Sequence, residues 1–364
     1  MFTIPLTQKS RIQNVCKHAR GKINPIFNQL LVNASTETGL VTFRASNGTQ
    51  SISFEIEGNI KSNCNFTLDA KRLHTVLDAL IGDSVQFKLN DDHVLARSGK
   101  SRLKLELGAV SAYPDAPKLN NCLTKVTCSI GDLSGLFNYA SYAAGNNDVR
   151  FYLNYLSLHI EAATQKLTVC ATDGHRLSQL SCNSLSCEGG GHFLTPLSLF
   201  NAILSQGLSN QTEVIMEISE SMIRLQSTDI TIVSTLGDGS YPDVNRVIPA
   251  IGHDYIQVDL KSFRSLVQRL HSVAALEKLS ALRLEIDTSL TISVACSGNN
   301  EFSEDMDAEI HCAPLTLGLN ASYLADALAR QSGEFVRIYP NGNNAVLLCC
   351  EIEELTTLIM PTRV

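Results

Sequence analysis

Three residues that could run a hydrolytic reaction stand within four positions of CATDGHRLSQL, residues 170–180: Asp173, His175 and Arg176. An acid beside an imidazole can orient a general base, and a guanidinium can hold a developing anion. The flanking pattern argues for another use. KLTVCAT before the Asp-Gly pair and RLSQLSC after it alternate apolar and polar side chains, as two strands joined by a tight turn would. Residues two apart on such a turn do not readily aim at one another. The sequence holds no GxSxG, HExxH or paired-carboxylate motif to complete a catalytic set. GDGSYPDVNRVIP, residues 237–249, lacks the Gly-x4-Gly-Lys-Ser/Thr order of a phosphate cradle and reads as a turn stiffened by Pro242. A structural hairpin turn is preferred to a hydrolase centred on His175. No catalytic residue, metal ligand or cofactor is assigned.

The elements that must position this turn repeat along the chain. FTLDAKRLHTVLDAL from Phe66, FLTPLSLFNAIL from Phe193 and LGLNASYLADAL from Leu317 each read as an apolar strand, a capping residue and an amphipathic helix. The capping residues are Asp69, Thr195 and Asn320, whose side chains can accept hydrogen bonds from the unpaired amides of a new helix. They recur at intervals of 126 and 125 residues. A second unit of strand then helix recurs near residues 2, 126 and 255, with Ile12, Leu136 and Leu266 in matching places. Alternating runs such as SISFEIEG, VQFKLN, LRLEID and LTISVAC supply further strands. The pattern predicts three similar α+β domains: 1–120, 125–249 and 250–364. The turn-rich stretches YPDAPKLNN and NRVIPAIGHD separate them.

Composition narrows the partners. The 364 residues carry a formal charge of −7, so attraction to nucleic acid requires a local basic surface. Residues 7–22 hold Lys9, Arg11, Lys17, Arg20 and Lys22 with no acid, and residues 260–272 hold Lys261, Arg264 and Arg269 with none. RSGKSRLK, residues 97–104, has four bases, whereas EFSEDMDAE, residues 301–309, has five acids. These opposite patches could meet within one chain or between two; between two copies the contact would occur twice and close a symmetric ring. The eleven cysteines include no CxxC pair, which fits reduced thiols better than a disulfide framework. No apolar run nears the roughly 18 residues of a membrane span, and MFTIPLTQKSRIQ is too polar for a signal peptide. The expected location is cytoplasmic.

With these motifs in order, NDVRFYLNYLSLHI, CATDGHRLSQL, DGSYPDVNRVIP, LGLNASYLADAL and the terminal LIMPTRV, the chain resembles the bacterial DNA polymerase III beta subunits, the beta sliding clamps. The resemblance runs from the first strand to the last residue. It implies a non-catalytic processivity factor: three domains of the DNA-clamp fold, with sheets outside and helices inside, in a head-to-tail homodimeric ring around duplex DNA. It implies a socket for short peptides, of the Gln-Leu-x-Leu-Phe type, from the polymerase III alpha subunit, the clamp loader and other clamp-binding proteins. By motif, the socket takes Leu153, Thr172, Gly174, His175, Arg176, Leu177, Pro242, Arg246, Val247, Asn320, Tyr323, Leu358 and Met360. The resemblance assigns DNA contact to Arg20, Lys22, Asn147, Arg150, Phe151 and Tyr152. It assigns the ring interface to Lys100, Arg102, Leu103 and Leu105 meeting Val273, Ala274, Glu301, Glu304 and Asp305. Leu177 is expected to line an exposed socket. Tyr155, Val244-Asn245, Ala274 and Thr362 depart from the family's pattern and bear on partner preference and dimer strength. A clamp-like adaptor that binds peptides without closing a ring is the alternative.

Overall fold

The computed structural model describes residues 1–21, 24–183, 185–276, 281–296, 300–341 and 345–364. Lys22 lies outside them. The chain packs as two compact units. One comprises Met1–Ser134, Ser184–Gly191 and Thr195–Gly237; the other comprises Gly135–Asn183, His192–Leu194 and Asp238–Val364.

Six α-helices occur among the described residues: α1 (Lys9–Cys16), α2 (Ala70–Ala79), α3 (Ile130–Ala140), α4 (Leu197–Leu204), α5 (Leu260–Leu276) and α6 (Ala321–Leu328). The expected strand-then-helix units are present: Phe2–Pro5 leads to α1, Thr124–Ser129 to α3 and Tyr255–Asp259 to α5. Ile12, Leu136 and Leu266 are all buried. Asp69 caps α2 by accepting the Arg72 N–H at 2.7 Å, and Asn320 caps α6 by accepting those of Ser322 and Tyr323 at 3.0 and 3.1 Å. Thr195 does not play this part. It is a fully buried strand residue, and α4 begins after Pro196, whose side chain makes no cap.

In the first unit, Gln50–Glu57 pairs antiparallel with Ile230–Thr235, placing Ile52 opposite Ile232. Strands from the first and central parts of the chain therefore belong to one sheet, which has 14 strands among the described residues. With no tryptophan in the sequence, phenylalanines fill this core. Phe2 stacks on Phe87 at 5.1 Å and on Phe66 at 6.3 Å between ring centres. Helices α1 and α2 pack together.

In the second unit, Tyr155–Glu161, Lys166–Thr172 and Arg176–Cys182 form an antiparallel meander that continues into Leu355–Ile359. A separate sheet runs through Leu315–Asn320, Ala281–Ile286, Leu290–Cys296 and Asn300–Met306. Helices α5 and α6 pack on each other over a core that includes Phe263, Leu270, Leu284, Leu324 and Ile359.

Candidate functional site

The strands Lys166–Thr172 and Arg176–Cys182 are in register from Leu167–Cys182 to Thr172–Leu177, so Asp173–His175 forms the turn that the sequence predicts. Gly174 has φ +87°, a conformation that glycine enters without steric cost. Asp173 holds the turn. Its Oδ1 accepts the N–H groups of His175 and Arg176 at 2.9 and 3.0 Å, and its Oδ2 accepts from Arg176 Nε at 3.0 Å. Thr172 Oγ1 accepts the Gly174 N–H at 3.0 Å and donates to the Arg176 carbonyl at 2.6 Å. The Asp173 carboxylate is thus bound to backbone and guanidinium, while the His175 ring lies near-parallel to Tyr323 at 6.4 Å.

Behind the turn lies an apolar floor. Leu177 and Leu358 sit opposite each other on adjacent strands and cluster with Cys170 and Ala345. Tyr241, Val244 and Ile248 pack on them from the segment after Gly239. The Tyr241 hydroxyl accepts the Thr172 N–H at 2.8 Å and anchors that segment. Burial pushes the Tyr241 hydroxyl and the Cys170 thiol upward, the thiol to about 12. Pro242, Arg246 and Val247 lie on the same segment and are exposed. The chain leaves the floor through Met360, whose N–H donates to the His175 carbonyl at 2.8 Å and whose side chain is exposed. On α6, Tyr323 stands over the Arg176 guanidinium at 4.5 Å.

The structure therefore joins Thr172, Gly174, His175, Arg176, Leu177, Leu358, Met360, Asn320 and Tyr323 through direct contacts or caps. Leu153 is buried in the turn Phe151–Asn154, its carbonyl accepting the Gly145 N–H at 2.8 Å. Two expectations need correction. Leu177 is only 2% exposed, because its side chain forms the floor under Tyr241 rather than an open wall. Arg176, placed in the socket by motif, is not free to bond a peptide. It is committed to Asp173 and to Asp326, whose Oδ2 it reaches at 2.6 Å, with Tyr142 also flanking it at 5.5 Å. Arg246 is paired with Asp243 at 3.1 Å, and its side chain is 83% exposed. Asp326 and Tyr142 escaped the sequence reading, although Asp326 follows Tyr323 by one helical turn, a spacing that puts both on one face.

The expected DNA contacts divide between the units. Arg20 is exposed just beyond α1 in the first unit. There, burial and the charges of Arg20 and Lys17 push the His18 imidazole below its ordinary value. Asn147, Arg150, Phe151 and Tyr152 share one loop of the second unit. Phe151 is 52% exposed and meets Tyr152 edge-on at 5.7 Å, so it is not a core residue. Arg150 binds Asp148 through Nε and a terminal nitrogen and donates to the Asp173 carbonyl at 2.9 Å. That pairing holds the Asp148 carboxyl down to about 2. The two basic runs are less available than their sequence suggests. Arg11 forms a bidentate pair with Asp229 at 2.5 and 2.6 Å. Arg264 closes the end of α6 by donating to the carbonyls of Leu328 and Gln331, and Arg269 binds Glu304 at 2.6 Å.

The residues expected at a ring interface lie on two strands, at the hairpin tip and on α5. Along Ser101–Glu106, one edge pairs with His93–Ser98; among the described residues the other edge is paired only beyond, at Leu107 and Gly108. Arg97 and Arg102 are exposed and directly opposite each other, a repulsive placement. Leu103 is half-buried and Leu105 buried, while Lys100 is exposed at the hairpin tip. On Asn300–Met306, one edge pairs with Leu290–Cys296, and no ladder is found on the other among the described residues. Glu304 is bound to Arg269, and Asp305 accepts the Thr291 hydroxyl at 2.6 Å. Glu301 and Phe302 are exposed, and Val273 is half-buried. Ala274 is a correction: it is fully buried in the core of its own unit, on the inward face of α5.

Models of the DNA polymerase III beta subunit match the chain three times in succession: the N-terminal domain at 8–117, the central domain at 131–243 and the C-terminal domain at 245–363. The beta sliding clamp of Pseudomonas putida is 26% identical over 304 residues, covering 82% of this chain and 81% of that protein. That of Haemophilus influenzae is 24% identical over 361 residues, covering 97% and 96%. Among solved structures, the sliding clamp of Pseudomonas aeruginosa with ligand superposes with a TM-score of 0.92 at 22% identity, covering 100% of this chain and 99% of that one. The beta subunit of Thermotoga maritima gives 0.91 at 16% identity, covering 100% of both chains.

Proposed function

Because the chain belongs to the DNA polymerase III beta subunit family, the sliding clamps, and has their three-domain fold, we propose that two copies close head to tail around duplex DNA. They hold it topologically and tether the polymerase III alpha subunit, the clamp loader and other proteins through peptides. The protein acts in the cytoplasm, where the DNA is, and is a non-catalytic subunit; its domains are 1–120, 125–249 and 250–364. The open basic edge Ser101–Glu106 of one copy extends the sheet of the other at the acidic edge Asn300–Met306. Unpaired strand edges are templates for such addition, and opposite charge sets the register. Arg20, Lys22 and the Asn147–Tyr152 loop meet phosphate. A sparse set of cations suits a ring that must slide, since each phosphate contact strengthens the salt-dependent grip.

The observation that carries the docking reading is that Val247 and Met360 stay exposed on the segments that cover and leave the buried floor of Leu177, Leu358, Cys170 and Ala345, beside the His175 and Tyr323 rings. Apolar peptide anchors suit such a surface, and Arg246, exposed and shared with Asp243, supplies a cation at its rim. Affinities of roughly micromolar order, about 8 kcal/mol, would let several partners exchange on one clamp. The test is anisotropy of a labelled Gln-Leu-x-Leu-Phe peptide titrated with the intact chain and with a chain lacking residues 360–364. Saturable binding lost with the tail is expected. Absence of binding by the intact chain overturns the docking assignment. Peptide binding without retention on circular DNA would make the protein an adaptor rather than a ring.

A further inference from the structure

The C-terminal tail crosses from one sheet of the second unit to another, and Met360 sits at the crossing. Met360 N–H donates to the His175 carbonyl, extending the ladder between Arg176–Leu180 and Leu355–Ile359. Two residues later, Thr362 N–H donates to the Gly318 carbonyl at 2.8 Å. Gly318 lies in Leu315–Asn320, whose paired edge faces Ala281–Ile286; the tail contacts it from the other side. Met360 is thus suspended between two backbone hydrogen bonds.

Gly318 stands in the LGLNASYLADAL motif without an assigned role, yet its lack of a side chain is what this crossing needs. A Cβ at Gly318 would collide with the Thr362 carbonyl oxygen, come within 2.6 Å of Val364 Cγ1 and lie 3.1 Å from the Thr362 carbonyl carbon. All three nearest atoms belong to the tail. The glycine is not required by its own backbone, because its φ is not in the left-handed region. An L-residue could adopt this strand backbone, and the atoms its Cβ would meet first are the tail's. We propose that Gly318 is the positioning residue for Met360: it admits the tail as an added strand and so fixes the apolar anchor at the edge of the socket. This rests on the peptide-docking reading above. A released tail would have to be ordered anew each time a peptide binds, and that cost comes out of the affinity.

The experiment compares the intact chain, Gly318→Val, a chain ending at Pro361, and the two changes combined. Each is measured for labelled-peptide affinity, melting temperature and, in the full-length forms, amide exchange at Thr362. The expectation for Gly318→Val is fast Thr362 exchange, an unchanged melting temperature and peptide binding weaker by about three- to ten-fold. The chain ending at Pro361 should lose a similar factor, and adding Gly318→Val to it should lose nothing more. A protected Thr362 amide in Gly318→Val overturns the proposal, as does a freed tail with unaltered affinity. A further loss in the combined variant overturns it too, because Gly318 would then act other than through the tail. If the intact chain binds no peptide while Gly318→Val still frees Thr362, it is the docking reading that falls, and Gly318 keeps only its role in seating the tail.

Discussion

Arg176 and Asp326, 150 residues apart in the chain, meet at 2.6 Å, and this pair ties the Asp173 turn to α6. The guanidinium is 13% exposed, is also bonded to Asp173, and lies against Tyr142 and Tyr323. Arg176→Ala should cost about 2–3 kcal/mol, the range for hydrogen bonds to charged groups, by denaturant titration. Arg176→Lys should not restore it, because an ammonium cannot fork to two carboxylates while stacking on rings.

Leu177→Asp tests the buried floor. Charging a side chain that is 2% exposed should destabilise the unit by at least about 3 kcal/mol, since an uncompensated buried charge joins lost apolar burial. Val247→Asp, at a side chain that is 55% exposed, should leave the melting temperature within a degree or two and remove peptide binding. Reversal of the two outcomes would place Leu177 at the open wall after all.

Arg11 belongs to the fold rather than to the phosphate-facing set. Its two bonds to Asp229 and its position 4.4 Å over the Phe54 ring fasten α1 to the sheet. Arg11→Ala should cost about 2–3 kcal/mol. Because both single changes break the same pair, Arg11→Ala with Asp229→Ala should cost less than the sum of the two. A double-mutant cycle in denaturant measures the coupling.

If the basic and acidic edges join in a ring, Arg102→Glu should weaken the dimer about ten-fold at low salt, and Glu301→Arg in the same chain should recover much of that loss. Sedimentation across a dilution series reads both. Equal dissociation constants for the intact chain and Arg102→Glu would exclude this edge from the interface.

The His159 ring stacks on His192 at 3.9 Å, and burial, followed by the His192 charge, pushes it below its ordinary value. Glu161, 3.6 Å away, opposes that shift and Lys166 adds to it. A depressed histidine lets the unfolded chain take up the proton first. Its contribution is therefore intact above the ordinary value near pH 6.5 and is lost as pH falls below it. Between pH 7.5 and 5.5 the melting temperature should fall further for the native chain than for His159→Asn. Parallel curves would mean that His159 protonates as freely folded as unfolded.

Local pattern revealed much of the fold. Helical spacing marked the positions of Ile12, Leu136 and Leu266, and Asp-Gly marked the turn at 173–174, because these features depend on neighbours in the chain. Thr195 misled because a capping side chain and a buried strand residue look alike until the helix start is known. The site was legible in its motif but not in its electrostatics. Arg11, Arg176 and Arg269 are each bound by an acid 35 to 218 residues away, and no local pattern carries that information. Gly318 was silent for the same reason: its role is set by the tail, 44 residues further on.

The ladder between Gln50–Glu57 and Ile230–Thr235 also bears on how the protein is made. At about 5–20 residues per second on the ribosome, the second strand follows the first by roughly ten to thirty-five seconds. Throughout that interval the edge of Gln50–Glu57 that carries Ile52 and Phe54 lacks the strand that covers it in the native sheet. The first third therefore leaves the ribosome as a sticky half-sheet, and the yield of native protein depends on how quickly the central third arrives to cover it.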